Sequence, residues 1–370
     1  MKLVPATPED SEDLKVFFES FVIPGRIDLR TVRHQHYFDL YRIQTDSFKV
    51  FVLRDGANKI HGTCAITYRM AYIEGKPQKI GLIRDLRIAK DRNALLSWSE
   101  SFLPTLEQEM AESGCAYFFS LIDENSAQSY NTLIRPKSRK QKMPRYYLLR
   151  KFYLIALHGH FSLFFKALAG VNLRSANQSD IPKLVKYLNG KSRKRPLGPI
   201  FEVDHFVKTL QNWPGLQLND FIIAEDTLGK IVGCCAPWSP HPLKTLVVEK
   251  HHGFTKGVRK LFTWGSHVKI TRRLAKESES LSVSYLTHFF ADNPDIFHSL
   301  LNEVWMKSPK SQTLLYPYFM GQIEAKPPSG FIYTKTPFAT YTILPPHRNL
   351  PPALRPRIQS PPPYLELALL

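Results

Sequence analysis

The spacing of apolar residues predicts a regular order of strands and helices in the first half of the chain. Apolar residues at every third or fourth position indicate helices, and short alternating or continuous apolar runs indicate strands. In chain order the predicted elements are a strand at Leu3–Thr7, a helix carrying Leu14, Phe17, Phe18 and Phe21, a second helix capped by Asp28 or Thr31 and carrying Tyr37, Leu40 and Tyr41, strands at Phe48–Arg54, Ile60–Tyr72 and Pro77–Ala89, a helix at Leu95–Glu112, a strand at Cys115–Ile122, a short helix at Asn125–Ile134 and a strand at Arg145–Leu157.

The second half repeats this order with an insertion. Its predicted elements are a strand at Asn172–Ser175, helices at Asp180–Leu188 and Val203–Leu210, a hairpin at Phe221–Ala236, a strand at Leu286–Ala291, a helix at Pro294–Met306, a strand at Thr313–Phe319 and a final strand pair over Gly330–Leu344. The insertion, at 251–281, is basic and helix-prone. The proline-rich stretch 345–363 favours an extended conformation, and we expect this tail to pack on the body or to be mobile rather than to bind a partner.

Two segments match between the halves without gaps. Leu3–Asp10 is echoed by Leu173–Asp180, and Phe51–Ala65 is echoed by Ile222–Ala236. A repeat of this length corresponds to a domain rather than to a solenoid unit, so a tandem duplication is preferred to chance similarity of strand-turn patterns. The predicted divisions are a first domain at 1–165, a second domain at 171–344 that contains the insertion, and a tail at 345–370.

Composition indicates a folded protein outside the membrane. An apolar fraction of 43% suits a globular core, and no stretch approaches the roughly 20 apolar residues that a membrane helix needs. The chain starts with a strand-like segment rather than an apolar signal core, so we expect a cytoplasmic location and no membrane partner. The cysteines lie in apolar runs without metal-ligand spacing, so we expect reduced, packed thiols and no metal site: Cys64, Cys115, Cys234 and Cys235.

Charge is the one unusual property of the composition. The formal net charge of +18 implies attraction to an anionic partner, although a run of charges is as often simply a solvated face. The basic residues cluster between Arg135 and Arg145, between Lys191 and Arg195, and from Lys256 to Lys276. The charge is therefore compatible with an acceptor that carries acidic groups or, as a weaker alternative, with nucleic acid.

Several short motifs together resemble the GNAT acetyltransferase superfamily, although none is specific alone. They are the strand and acidic cap at Val4–Asp10, the hairpin residues Gly56 and Lys59–Gly62, the strand end Arg84–Ile88, and Asn125 after the fifth strand of that pattern. The resemblance covers nearly all of 1–157 and, more loosely, 171–344. It implies an α/β (α+β) fold of tandem domains, each with a mixed, mostly antiparallel sheet flanked by helices.

The resemblance also implies a site for acetyl-CoA as co-substrate, inserted between the strands Pro77–Ala89 and Cys115–Ile122. Pantetheine would follow the edge of the first strand, and the pyrophosphate would meet the amides that begin the next helix, where the dipole favours anions. The residues implied are Leu86, Arg87, Ile88, Arg92, Asn93, Ala94, Leu95, Leu96 and Asn125.

Acetyl transfer to an amine needs a base for the amine proton and an acid for the leaving thiolate. Asp85 occupies the position from which carboxylates of the superfamily act as base, and Tyr130 is the nearest candidate for the acid. The alternative for Asp85 is a structural ion pair with Arg84 or Arg87.

These observations favour an acetyl-CoA-dependent N-acetyltransferase whose active site lies in the first domain. Its acceptor would be a small-molecule or peptide amine that the sequence does not identify. A catalytically inactive tandem protein that binds a ligand or partner is the main alternative. It draws support from Leu95 and Ser97 at glycine positions of the superfamily, and from Asp292 and Asp295 at the corresponding helix start of the second half.

Overall fold

The computed structural model describes residues 1–125, 143–161, 168–267, 270–322, 325–356 and 360–369. The helices in this part of the chain are α1 (Ser11–Glu19), α2 (Asp39–Arg42), α3 (Arg92–Ser113), α4 (Ile181–Ser192), α5 (Val203–Asn212), α6 (Phe254–His267) and α7 (Pro294–Lys307). The strands are β1 (Lys2–Pro5), β2 (Val22–Ile23), β3 (Ile27–Arg33), β4 (Phe48–Arg54), β5 (Ile60–Ile73), β6 (Lys76–Ile88), β7 (Tyr117–Asp123), β8 (Arg145–His160), β9 (Asn172–Ser175), β10 (Gly198–Pro199), β11 (Ile222–Glu225), β12 (Ile231–Trp238), β13 (Lys244–His251), β14 (Val283–Ala291), β15 (Thr313–Phe319) and β16 (Phe331–Leu344).

One long sheet runs through both halves of the chain. Its strands follow the order β1-β4-β5-β6-β7-β16-β8-β15-β14-β12-β11-β9, with β10 paired to β5. Among the strands described, β6–β7 and β14–β15 pair in parallel, and the other pairs in the sheet are antiparallel. The predicted fold class, a mixed and mostly antiparallel sheet flanked by helices, is confirmed.

The last strand of the first half, β8, and the last strand of the second half, β16, lie side by side in the middle of this sheet, and each also pairs with the other half. β16 pairs with β7 on one edge and with β8 on the other, and β8 also pairs with β15. The predicted strand pair over Gly330–Leu344 is wrong, because Phe331–Leu344 form one strand that pairs with both neighbours. The division into domains at 1–165 and 171–344 stays a prediction, and the hydrogen bonds of β8 and β16 join the two parts.

A small second sheet corrects another prediction. The segment from Asp28 forms β3 rather than the start of a helix, and only Asp39–Arg42 is helical. β3 pairs with β13 along its whole length, from Ile27 with His251 to Arg33 with Lys244. The partner strand comes from the second half, so tertiary pairing overrides the local signal. The predicted basic insertion at 251–281 contains α6.

Helices α3 and α7 cover the long sheet at corresponding places. Gly62 of β5 pairs with Leu53 and Ile88, and Gly233 of β12 pairs with Ala224 and Ala291. Both glycines face a helix: a Cβ at Gly62 would lie 3.1 Å from the Trp98 ring, and one at Gly233 would lie 2.6 Å from Ile296 Cγ2. The two glycines thus hold equivalent register positions under a closely packed helix.

The tail and the cysteines are packed into the body. Leu354, Tyr364, Leu365 and Ala368 of the tail are buried, which corresponds to packing on the body, one of the two arrangements expected for the tail. The four cysteines are free and buried, as predicted. Among the residues described here, no helix has the length and apolar character needed to cross a membrane.

Candidate active site

Strands β6 and β7 separate partway along their length. They pair only from Ile80–Leu82 to Tyr117–Phe119, and β7 then continues beside β16. Residues 83–88 of β6 therefore keep an edge with no strand partner on that side among the described residues. We name the gap between 83–88 and residues 120–123 of β7 the first opening. It lies where the resemblance places acyl-CoA.

Strands β14 and β15 separate in the same way. They pair only from Val283–Tyr285 to Thr313–Leu315, and β15 is paired on its other edge with β8. We name the gap between residues 286–291 of β14 and residues 316–319 of β15 the second opening. The two openings correspond in register, so their linings can be compared position by position.

Each opening has a β-bulge on the first of its two strands, β6 or β14. The register of β6 against β5 shifts around Asp85, and that of β14 against β12 shifts around His288. Both residues have a left-handed backbone, with φ of 54° at Asp85 and 52° at His288. Such a conformation is costly for residues other than glycine and is common at functional sites. The bulges re-aim the strands at the point where each opening begins.

Aromatic rings fill the second opening. Tyr316 is only 1% exposed, and Phe297 of α7 packs between it and Phe289, with ring centroids 5.6 Å and 4.5 Å away. The first opening has smaller side chains at the corresponding register positions. Ser120 stands where the second opening has Tyr316, and Leu86 stands where it has Phe289; both are half-buried. These two side chains leave the first opening less filled by aromatic rings than the second.

Asp85 is surrounded by positively charged side chains. Its Oδ2 accepts hydrogen bonds from Arg33 Nη2 at 2.7 Å, Tyr41 Oη at 2.8 Å and Arg84 Nε at 3.2 Å. Burial would raise the pKa of Asp85, but the charges of Arg33, Arg84 and Lys244 outweigh it and hold this pKa well below its usual value. A carboxylate that stays ionised and already accepts three hydrogen bonds is a poor base. The geometry therefore fits the alternative in which Asp85 forms a structural ion pair.

The residues predicted to contact pantetheine lie along the free edge of β6. Leu86, Arg87 and Ile88 are all half-buried. The Arg87 guanidinium sits 4.9 Å from the Phe18 ring centroid, and its Nη1 donates to the Leu86 carbonyl at 2.9 Å. The strand edge is thus accessible, although the Arg87 charge is turned toward an aromatic ring.

The start of α3 carries its own carboxylate cap. Asp91 Oδ1 accepts a hydrogen bond from the Ala94 backbone N–H at 2.8 Å, which satisfies one of the amides predicted to bind pyrophosphate. A second anion here would meet the charge of Asp91, so phosphate binding would require this cap to move. The predicted residues around the cap are exposed Arg92, Asn93 and Leu96, half-buried Leu95 and buried Ala94.

Two predicted residues follow β7. The Asn125 backbone N–H donates to Asp123 Oδ1 at 2.9 Å, which forms the turn after the strand. Tyr130, the predicted acid, lies outside the described residues. The same holds for most of the predicted helix Asn125–Ile134 and for the basic positions from 135 to 142.

A cavity of about 460 Å³ lies between the two halves, and sequence reasoning did not find it. One wall belongs to β5, β6 and β7, and the other belongs to α5, His288 and the tail. The lining includes Tyr68, Leu82, Leu121, Trp213, Leu365 and Glu366. Leu82 is the last residue of β6 that pairs with β7, so the cavity reaches the point where the first opening begins.

Glu366 of the tail lines this cavity and is suited to proton transfer. Its Oε2 accepts a hydrogen bond from Tyr364 Oη at 2.6 Å. Burial raises its pKa to about 7, although the Tyr364 hydroxyl, the His288 backbone and Arg69 act in the opposite direction. A carboxyl group with this pKa can accept or release a proton near neutral pH. No local motif marked Glu366, because the tail becomes buried only through tertiary packing.

His288 supports the second-half wall of the cavity. Its ring lies among aromatic side chains, 5.2 Å from the Phe221 centroid and 5.7 Å from that of Trp213. Burial lowers its pKa to about 3, so the imidazole is neutral at physiological pH. His288 therefore serves as a packed, uncharged side chain at the bulge.

The fold has known relatives, although neither the known protein families nor the curated proteins gave a match. A structure of N-myristoyltransferase from Saccharomyces cerevisiae with bound myristoyl-CoA superposes with a TM-score of 0.56 at 11% identity, over 97% of this chain and 87% of that one. A GCN5-related N-acetyltransferase from Sphaerobacter thermophilus gives 0.55 at 11% identity, over 94% and 97%. The chain has the GNAT fold. A probable N-acyltransferase of unknown function from Enterococcus faecalis gives 0.52 at 8% identity, over 93% and 72%. At these identities the likeness shows a shared GNAT fold.

Proposed function

We propose that this protein is a CoA-dependent N-acyltransferase, with acetyl-CoA as the simplest donor. The donor would lie in the first opening, and the acceptor amine would enter the cavity between the halves. The observation that carries the proposal is the contact between the two spaces: Leu82 and Leu121 line the cavity where β6 and β7 begin to separate. A thioester held along the free edge of β6 would therefore face an acceptor in the cavity.

The contrast between the openings supports the first one as the donor site. Ser120 is a small residue at the position that buried Tyr316 occupies in the second opening, and a cavity of only about 50 Å³ lies beside Tyr316. Pro363 to Glu366 of the tail also line that small cavity. The equivalent positions of Gly62 and Gly233 further support a tandem duplication in which one copy kept its donor site and the other became packed.

Glu366 is the base in the proposed reaction. With a pKa of about 7, it accepts the proton of the acceptor amine while the C–N bond forms and the thioester C–S bond breaks. Tyr364 orients the carboxyl group through its hydroxyl hydrogen bond. The departing thiolate takes a proton from solvent or from Tyr130. Asp85 has a positioning role, because its ion pairs hold the bulge that opens the strands.

The acceptor would be an amine with both apolar and charged parts. Ile43, Met70 and Trp213 give the cavity apolar surface. Its cations Arg42 and Lys208 are paired with carboxylates, Arg42 with Asp39 at 2.9 Å and Lys208 with Asp46 at 2.8 Å. The preference for an acceptor with an acidic group therefore rests on the net charge of +18 of the chain.

A binding titration and a thiol-release assay test this proposal together. Isothermal titration with CoA, acetyl-CoA and longer acyl-CoAs should show saturable binding, and amines with and without acidic groups should release free thiol. Ser120→Tyr recreates the filled second opening and should abolish binding, whereas Ser120→Ala keeps the space and should bind normally. Absence of binding to the wild type at millimolar acyl-CoA would refute the proposal.

One observation favours the inactive alternative. Asp91 occupies the helix start that would hold the pyrophosphate, and the start of α7 is capped likewise by Asn293 Oδ1, which accepts from the Ile296 N–H at 2.9 Å. Tight binding of acyl-CoA without thiol release for any amine tested would support a ligand-binding protein.

A further inference from the structure

Helix α6 is attached to the body by one face. Phe262 lies on this inner face, with its ring 5.8 Å from that of His158, and its carbonyl accepts a hydrogen bond from Thr271 Oγ1 at 2.8 Å. Gly265 is buried close to Thr271, whose Oγ1 would lie 2.5 Å from an added Cβ. The opposite face of the helix has no packing partner among the described residues.

That opposite face combines large apolar and basic side chains. Trp264 is 67% exposed and Leu261 is 63% exposed, although both are residues that proteins usually bury. Lys260 and Lys256 are exposed one and two turns before Trp264, on the same side of the helix. We name Lys256, Lys260, Leu261 and Trp264 the outer face of α6.

The surrounding chain adds positive charge and a further apolar residue. No Asp or Glu occurs between Lys250 and Lys276, whereas Lys and Arg recur throughout this segment. The end of β8 is joined to the end of α6 through Ile270, because the His160 N–H donates to the Ile270 carbonyl at 2.9 Å and the Ile270 N–H to the Gly265 carbonyl at 3.1 Å. Phe161, the residue that follows β8, is 42% exposed.

We propose that the outer face of α6 binds the surface of an anionic phospholipid membrane, in contrast to the expectation from the sequence that the protein has no membrane partner. Trp264 and Leu261 would enter the boundary between headgroups and acyl chains, and Lys256 and Lys260 would meet lipid phosphates. Tryptophan is suited to this boundary because its ring is apolar and its N–H is polar. Leucine beside it favours lipid over nucleic acid, because an aliphatic side chain neither stacks on bases nor reads their edges.

Vesicle sedimentation tests the proposal. The full-length protein should bind vesicles of phosphatidylcholine with phosphatidylserine, bind vesicles of phosphatidylcholine alone far more weakly, and lose binding at high salt. Lys256→Glu with Lys260→Glu should reduce binding to anionic vesicles by about tenfold or more, since each basic residue near such a surface adds a substantial electrostatic term. The matched control is Lys183→Glu with Lys186→Glu, which makes the same charge change at exposed positions of α4 and should bind like the wild type.

Trp264→Ala should weaken binding by about tenfold through lost apolar contact. Leu228→Ala removes another highly exposed apolar residue, 90% exposed at a turn, and should have no effect. Fluorescence quenching by brominated lipids should occur in the wild type and disappear in Trp264→Phe. Equal vesicle binding by wild type, the α6 double variant and Trp264→Ala would overturn the proposal. So would salt-dependent binding to polyuridylate that the α6 double variant loses, with no binding to vesicles.

Discussion

Replacement of Asp85 by asparagine separates a structural role from a catalytic one. The change keeps the shape of the side chain but removes the negative charge that pairs with the guanidinium groups of Arg33 at 2.7 Å and Arg84 at 3.2 Å. The Arg33 side chain is 1% exposed, so solvent cannot compensate. Removal of one partner from a buried ion pair costs about 3–5 kcal/mol, so we expect a loss of about 3 kcal/mol in the free energy of unfolding, since the asparagine oxygen can still accept one hydrogen bond.

Urea unfolding at neutral pH measures this loss, and Asp46→Asn is the control. Asp46 also pairs with a cation, Lys208, but its side chain is 86% exposed, so its replacement should leave stability nearly unchanged. The pKa of Asp85 is lowered in the folded state, so its contribution is present above the unfolded pKa of about 3.9 and declines as the pH falls below that value. Wild-type stability should therefore approach that of Asp85→Asn in acid. Unchanged stability in the variant, combined with a hundredfold loss of turnover at unchanged acyl-CoA affinity, would restore Asp85 as the base.

Three further variants test other parts of the account. Glu366→Gln should remove the rise in turnover near pH 7; it should also be more stable than the wild type by a margin that grows from pH 5 to pH 8, because a raised carboxyl pKa makes the folded state less stable as the pH rises. Gly233→Ala should lose about 1–3 kcal/mol, because the new Cβ would lie 2.6 Å from Ile296 Cγ2. Gly190→Ala, inside α4 with no neighbour within 4 Å, should gain about 0.5–1 kcal/mol in the same urea assay.

Local sequence patterns predicted the strands whose apolar residues alternate or run continuously. Asn172–Ser175, Phe48–Arg54 and Thr313–Phe319 form strands with the predicted bounds. β3 and β13 were missed because most of their hydrogen bonding is with each other, across more than half of the chain; the only other strand described in this small sheet is the two-residue β2. Four of the seven residues of Ile27–Arg33 are polar or charged, and a segment of this composition becomes a strand only when a partner strand is present.

The sequence predicted only the part of the candidate site that lies along the predicted strand Pro77–Ala89. The opening beside Leu86–Ile88 lies where the resemblance implied it. The sequence left two alternatives for Asp85, a catalytic base or a structural ion pair. It could not decide between them, because the bulge at Asp85 and the contact with Arg33 depend on how strands distant in sequence pair and pack. Glu366 and the cavity could not be predicted, since the raised pKa results from burial by segments far apart in sequence.

The central claim is that acyl-CoA binds in the first opening, and acyl-CoA titration of Ser120→Tyr tests it most directly. We expect saturable binding of acetyl-CoA or a longer acyl-CoA to the wild type and to Ser120→Ala, and at least a hundredfold weaker binding to a folded Ser120→Tyr protein. Equal affinity in all three proteins would contradict it, because it would place the donor away from the gap between β6 and β7.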